Sequence, residues 1–198
     1  MAHETLIDGA LGTELRALYR EPGRHYHGID HIEALLGLAK EYNTELADPE
    51  AVEAAIWFHD AIYDSRRSDN EARSAALAAE RLARRVTRRR LQKIVAMIEA
   101  TASHVVPDLG GRATRDAAFF LDMDLAILGA SPAVFDAYEA AVRREYAWVD
   151  DNAWRSGRSA ALTKFLERPA IFSTRLFLDR FEDQARQNIT RSVASLTG

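Results

Sequence analysis

Ala54-Ala55-Ile56-Trp57-Phe58-His59-Asp60-Ala61-Ile62-Tyr63 is the stretch whose reading decides the fold. It has apolar residues on almost every side of a helical projection, so it belongs inside the protein. An imidazole and a carboxylate stand next to each other within it. Burying a neutral polar group without a partner costs roughly 2–7 kcal/mol, and a charge costs more. A metal ion would satisfy both side chains at once. The expectation is that His59 and Asp60 form half of a metal site and that the rest of the chain supplies the other half.

The remainder of the chain agrees with an all-α fold. Its 198 residues are 47% hydrophobic, enough for one well-filled core in a single domain. The five prolines (Pro22, Pro49, Pro107, Pro132 and Pro169) fall where helices should begin or end. Between them the sequence is rich in Ala, Leu, Arg and Glu, with no alternation of period two. There are no cysteines, which excludes disulfides, iron–sulfur clusters and thiolate zinc, so a metal here takes nitrogen and oxygen ligands. A formal charge of −4 offers no general attraction to nucleic acid or to an anionic membrane. The arginines at 81, 84, 85, 88, 89 and 90 read as a solvated face paired with the surplus acids. Met1-Ala2-His3-Glu4 lacks a basic stretch followed by an apolar run, and no apolar segment approaches about 18 residues. A cytoplasmic location is the expectation.

The first helix is expected from about Leu6 to Tyr19, with Thr5 and Asp8 as caps, and the second near Asp30 to Tyr42. Between them lies a loop, Arg20 to Gly28, with two glycines, two histidines and two arginines. His31 borders the apolar stripe of Ile32, Leu35, Leu36 and Ala39 and can point inward. Asp48-Pro49 opens the third helix, expected to run to about Asp64. Ser68-Asp69-Asn70-Glu71 reads as a capping box for a fourth helix to about Arg85. A fifth covers roughly Arg88 to Ser103, followed by a loop from Val105 to Thr114. The sixth, Ala117 to Gly129, is again apolar around its circumference and again carries central acids, Asp122 and Asp124. A seventh is expected from Ser131-Pro132 to about Val149, and shorter helices over Ala153 to Leu166 and Thr174 to Leu196.

His31, then His59-Asp60 28 residues further on, then a distant Asp in an apolar helix, resembles the HD-domain superfamily of metal-dependent phosphohydrolases. The likeness is greatest to a bacterial group of predicted HD phosphohydrolases. It is carried by residues 24–32 (RHYHGIDHI), 57–64 (WFHDAIYD), 69–74 (DNEARS), 120–129 (FLDMDLAILG) and 143–146 (RREY), spanning roughly residues 20 to 150. The resemblance implies a helical domain of the HD type over residues 1–198, its metal-site core at about 20–150 and helices from 151–198 packed on it. It implies one divalent ion (Mn, Fe, Mg, Ni, Co or Zn) on His31, His59, Asp60 and an Asp of the sixth helix. Asp124 is the favoured ligand because bulkier apolar residues flank it by one turn; Asp122 would then orient a ligand or buffer charge.

Two imidazoles and two carboxylates leave open positions on a six-coordinate ion for water and a phosphate oxygen. The implied activity is hydrolysis of a small phosphoester, such as a nucleotide, with no nucleic-acid or membrane partner; a homodimer is left open. Arg24, His27 and His104 are the candidates for substrate binding. Asp64 and Glu71, with Asp60, are the candidates for catalysis. Two alternatives stay open. One is a metal- or nucleotide-binding module without turnover. The other is oxidative chemistry at an iron site with a second metal, to which His27 and His104 would contribute.

Overall fold

The structure, a computed structural model, describes residues 6–198. All regular structure among them is helical. The elements are α1 (Gly9–Leu18), α2 (Ile29–Glu41), α3 (Pro49–Phe58), α4 (Asn70–Leu82), α5 (Arg88–Ala100), α6 (Gly111–Leu125), α7 (Pro132–Glu145), α8 (Asp151–Leu166) and α9 (Arg175–Thr197). Short 3₁₀ turns lie at Asn43–Glu45 and Ala126–Gly129. The all-α expectation holds. Thr5 and Met1-Ala2-His3-Glu4 lie outside the described residues, whereas Asp8 does cap α1, accepting from Leu11 N at 2.9 Å. The chain separates into two compact units, Met1–Met123 and Asp124–Gly198, with the division near the end of α6. Among the described residues no single helix is long and apolar enough to cross a membrane.

In the first unit α3 is central and packs against α2, α4 and α5. Its residues Ala51, Val52, Ala54, Ala55, Ile56, Trp57 and Phe58 are all buried, which is why the sequence is apolar around the whole helix. Asp48 caps the helix through Ala51 N at 3.2 Å and Pro49 occupies its first turn. Asp116 ties α6 into the same unit. It is fully buried, accepts from Ala47 N at 2.7 Å and Asp48 N at 3.0 Å, and pairs with Lys93 of α5. In the second unit the Ala126–Gly129 turn and α8 both pack on α9. Asn188 donates from Nδ2 to Leu128 O at 2.9 Å and Ala130 O at 2.8 Å. Gly129 sits so close to α9 that an added Cβ would meet Phe181 Cβ and O at 2.7 Å.

Several boundaries differ from the expectation. The third helix ends at Phe58 rather than near Asp64, because residues 60–64 find partners elsewhere in the unit that outcompete helix continuation. The capping box is not formed: α4 starts at Asn70, and Asp69 turns both carboxylate oxygens to Arg67 at 2.6 Å. Helix α6 begins at Gly111, inside the stretch expected to be loop, directly after the left-handed Gly110 (φ +80°). The seventh helix stops at Glu145, and Arg143 holds the chain beyond it through Tyr146 O at 2.7 Å and Val149 O at 3.1 Å. The last helix is not short; at 23 residues it runs to Thr197. The arginine run is partly neutralised as expected, Arg81 by Glu14, Arg85 by Asp8 and Arg90 by Asp48 and Glu50.

Candidate metal centre

The end of α3 places His59 and Asp60 at a turn. His59 N still bonds Ala55 O at 2.9 Å, but Ala61 N bonds Phe58 O at 3.0 Å and the helix is broken there. His59 and Asp60 are therefore terminal residues of a buried helix, not central ones, which lets the two adjacent side chains converge instead of pointing about 100° apart around a helix. His31, in the first turn of α2, brings its Nε2 to 3.2 Å from His59 Nε2. Asp60 Oδ2 lies 3.1 Å from His59 Nε2 and 3.7 Å from His31 Nε2.

The group that could hold a metal ion is His31, His59 and Asp124, with one ligand atom from each within 4.8 Å of the others; Asp60 is not a member of it. Asp124 is the first residue past the division between the units, yet it stands on α6, which runs unbroken from Gly111 to Leu125. A continuous helix thus sets its position. Asp122 is almost fully buried and is not in the group. Two residues along a helix turn the side chain by about 200°, so the two acids face opposite ways.

The donor set fits a cation. His59 Nδ1 lies 2.9 Å from the carbonyl oxygen of Ile56, which can only accept, so Nδ1 carries the proton and Nε2 presents its lone pair. That lone pair faces the Asp60 carboxylate and the Nε2 of His31. A second proton on His59 would serve only one of these close contacts; an ion among the atoms serves all of them. Two nitrogens each about 2.1 Å from one metal lie about 3.0 Å apart on an octahedral edge and about 3.4 Å apart on a tetrahedral one. The His31–His59 separation of 3.2 Å and the His59–Asp60 nitrogen–oxygen separation of 3.1 Å fall between those lengths, and the His31–Asp60 separation of 3.7 Å lies beyond the tetrahedral one. Burial pushes the Asp60 carboxyl up; when the neighbouring histidines are protonated, the charges of His59, His27 and His31 and the hydrogen bond with His59 outweigh it and hold the group well below the usual carboxylate range.

The other sequence candidates separate. His27 stays close: its ring stacks on Tyr63 at 4.2 Å and 24° and meets His31 edge-on at 6.3 Å. Arg24 is adjacent to the site, and its guanidinium is taken up by backbone carbonyls. Its side chain is 3% exposed, and its guanidinium donates to His27 O at 3.1 Å, Asp60 O at 2.6 Å and Ala61 O at 2.9 Å. Asp64 is exposed, and its Oδ1 accepts from Arg66 N at 2.9 Å, closing a local turn. Glu71 is half-buried in the first turn of α4. His104 takes a left-handed conformation (φ 50°) just past α5, where His104 N bonds Ala100 O at 2.8 Å. None of Asp64, Glu71 and His104 belongs to the His31–His59–Asp124 group.

Sequence reasoning did not single out the residues that hold the turn. Ser74 Oγ accepts from Ile62 N at 3.0 Å and donates to Ile62 O at 3.2 Å. Asn70 does the same for Asp64, through Oδ1 at 3.1 Å and Nδ2 at 2.9 Å. Both are buried, four residues apart on one face of α4. That spacing of small polar side chains, just downstream of His59-Asp60, was a legible signal. Tyr26 packs on His31 at 4.8 Å, and Phe120 meets the edge of His59 at 5.7 Å. No family model, curated protein or solved structure matches the chain.

Proposed function

We propose that the protein is a metal-dependent phosphohydrolase acting on a small phosphoester, with a nucleotide as the leading substrate class. The observation that carries the reading is the convergence of His31, His59 and Asp60 on one point, with Asp124 in reach of both histidines. These four side chains would hold one divalent ion. Such an ion, bound by nitrogen and oxygen with positions left open, lowers the pKa of water and polarises a phosphoryl oxygen.

The chain's own residues support that role in distinct ways. Ile56 O fixes the His59 ring and its tautomer. Phe120 and Tyr26 cover the histidines, which are almost fully buried, and exclude water from that side. Asp60 retains 15% side-chain exposure and Asp124 is half-buried, so the carboxylate side is the open one. His27, half-buried on Tyr63, is the candidate to contact the substrate phosphate. The test is phosphate or pyrophosphate release by purified protein across nucleotides and phosphomonoesters, with each of Mn, Fe, Mg, Ni, Co and Zn. Metal-dependent release that disappears in Asp60→Ala is expected. Metal uptake without turnover on the whole panel would refute hydrolysis and favour the second reading, a binding module.

A further inference from the structure

Arginine at position 24 is a large cation whose side chain is almost fully buried. Its planar fork has five N–H donors. Nη1 donates to two carbonyls, His27 O and Asp60 O, and Nη2 to Ala61 O, with Glu21 Oε2 at 3.5 Å beyond it. Nε is buried with no hydrogen-bond partner. The guanidinium also lies over the rings of Tyr19 at 5.2 Å and Tyr63 at 5.7 Å. Tyr63 carries His27 stacked on it, and Tyr19 OH donates to Trp57 O at 3.0 Å.

The partners share one property: they belong to the two segments that carry the ligand-group histidines. Carbonyls 60 and 61 lie in the turn that presents His59 and Asp60, and carbonyl 27 lies in the loop that leads into His31. A single nitrogen joins Asp60 O to His27 O, so the separation of the two segments is set by one planar group. Lysine cannot reproduce this, because an ammonium is a compact point donor on a flexible stem, without the rigid fork.

We propose that Arg24 is a positioning residue of the metal centre, clamping the His59–Asp60 turn to the loop before His31 so that the ligands are preorganised. This rests on the metal-site reading above. Partners outside a ligand set typically change metal affinity by 10–100-fold when removed.

The test uses purified full-length wild type, Arg24→Met and Arg24→Lys. Each is titrated with Co²⁺, followed by its visible ligand-field absorption, with far-UV circular dichroism to establish folding. The expected result is a folded Arg24→Met protein whose Co²⁺ dissociation constant rises about 10–100-fold, with an altered spectrum. Arg24→Lys should recover only part of the affinity. If Arg24→Met does not fold, Arg24→Lys alone decides, because wild-type affinity and spectrum in that variant overturn the clamp. Loss of thermal stability with unchanged Co²⁺ affinity and spectrum reduces Arg24 to a structural residue and leaves the metal site standing. Absence of Co²⁺ binding by folded wild type overturns the metal reading, and the clamp with it.

Discussion

Replacing Asp116 with alanine should destabilise the first unit severely. The carboxylate is fully buried and accepts from the backbone N–H of Ala47 and of Asp48, while pairing with Lys93, itself only 12% exposed. Truncation leaves two amide donors without their acceptor and leaves the Lys93 ammonium only the more distant Asp48 carboxylate, 3.9 Å away. Hydrogen bonds to a charged group are worth about 1.5–3 kcal/mol each, and breaking a buried ion pair costs about 3–5 kcal/mol. Because these contacts share one acceptor they do not add, so the expected loss is about 3–5 kcal/mol. Against a total stability of about 5–15 kcal/mol, that is roughly a fifth or more. Urea unfolding followed by far-UV circular dichroism measures the loss, and hydrogen exchange at α3 and α5 amides locates it. Asp116→Asn keeps the shape and one acceptor oxygen, so it should lose roughly half as much. A loss below about 1 kcal/mol in Asp116→Ala, or equal losses in the two variants, would refute the reasoning. Asp116 also stands eight residues before Asp124 on α6, so the alanine variant should bind Co²⁺ more weakly than wild type.

Divalent metal at about 100 times its dissociation constant should stabilise the fold by about 2.7 kcal/mol, and the gain should vanish in a His31→Ala, His59→Ala double variant; thermal melts with and without metal check this. Gly129→Ala pushes a Cβ against the backbone oxygen of Phe181, and about 1–3 kcal/mol of destabilisation is expected by urea unfolding. Asp48 is pushed up by burial, but the hydrogen bond and charge of Arg90 and the charge of Lys93 outweigh this and hold its carboxyl below the ordinary value. Its folded pKa is thus lower than the unfolded one of about 3.9, so its contribution is present above that pH and is lost as pH falls through the folded value. The stability difference between wild type and Asp48→Asn should accordingly shrink from pH 6 to pH 3, with a constant difference contradicting the assignment.

The sequence by itself determined the helical class and the buried character of the helix before His59, and it offered the candidate metal ligands. Those properties are local or compositional: an apolar circumference, the positions of proline, and the absence of thiolates. Asp48 and Pro49 were legible as a helix start because capping acts over three or four residues. What only the tertiary structure decided was the competition for backbone groups. The third helix looks able to continue to Asp64, yet Arg24, Ser74 and Asn70, from 36 residues upstream and 6–12 residues downstream, take the carbonyls and amides of residues 60–64. Arg24 illustrates the limit most clearly. An arginine in a glycine-containing loop has the chemistry of a phosphate ligand. Only the positions of three carbonyl oxygens, two of them on a distant segment, turn it into an internal clamp.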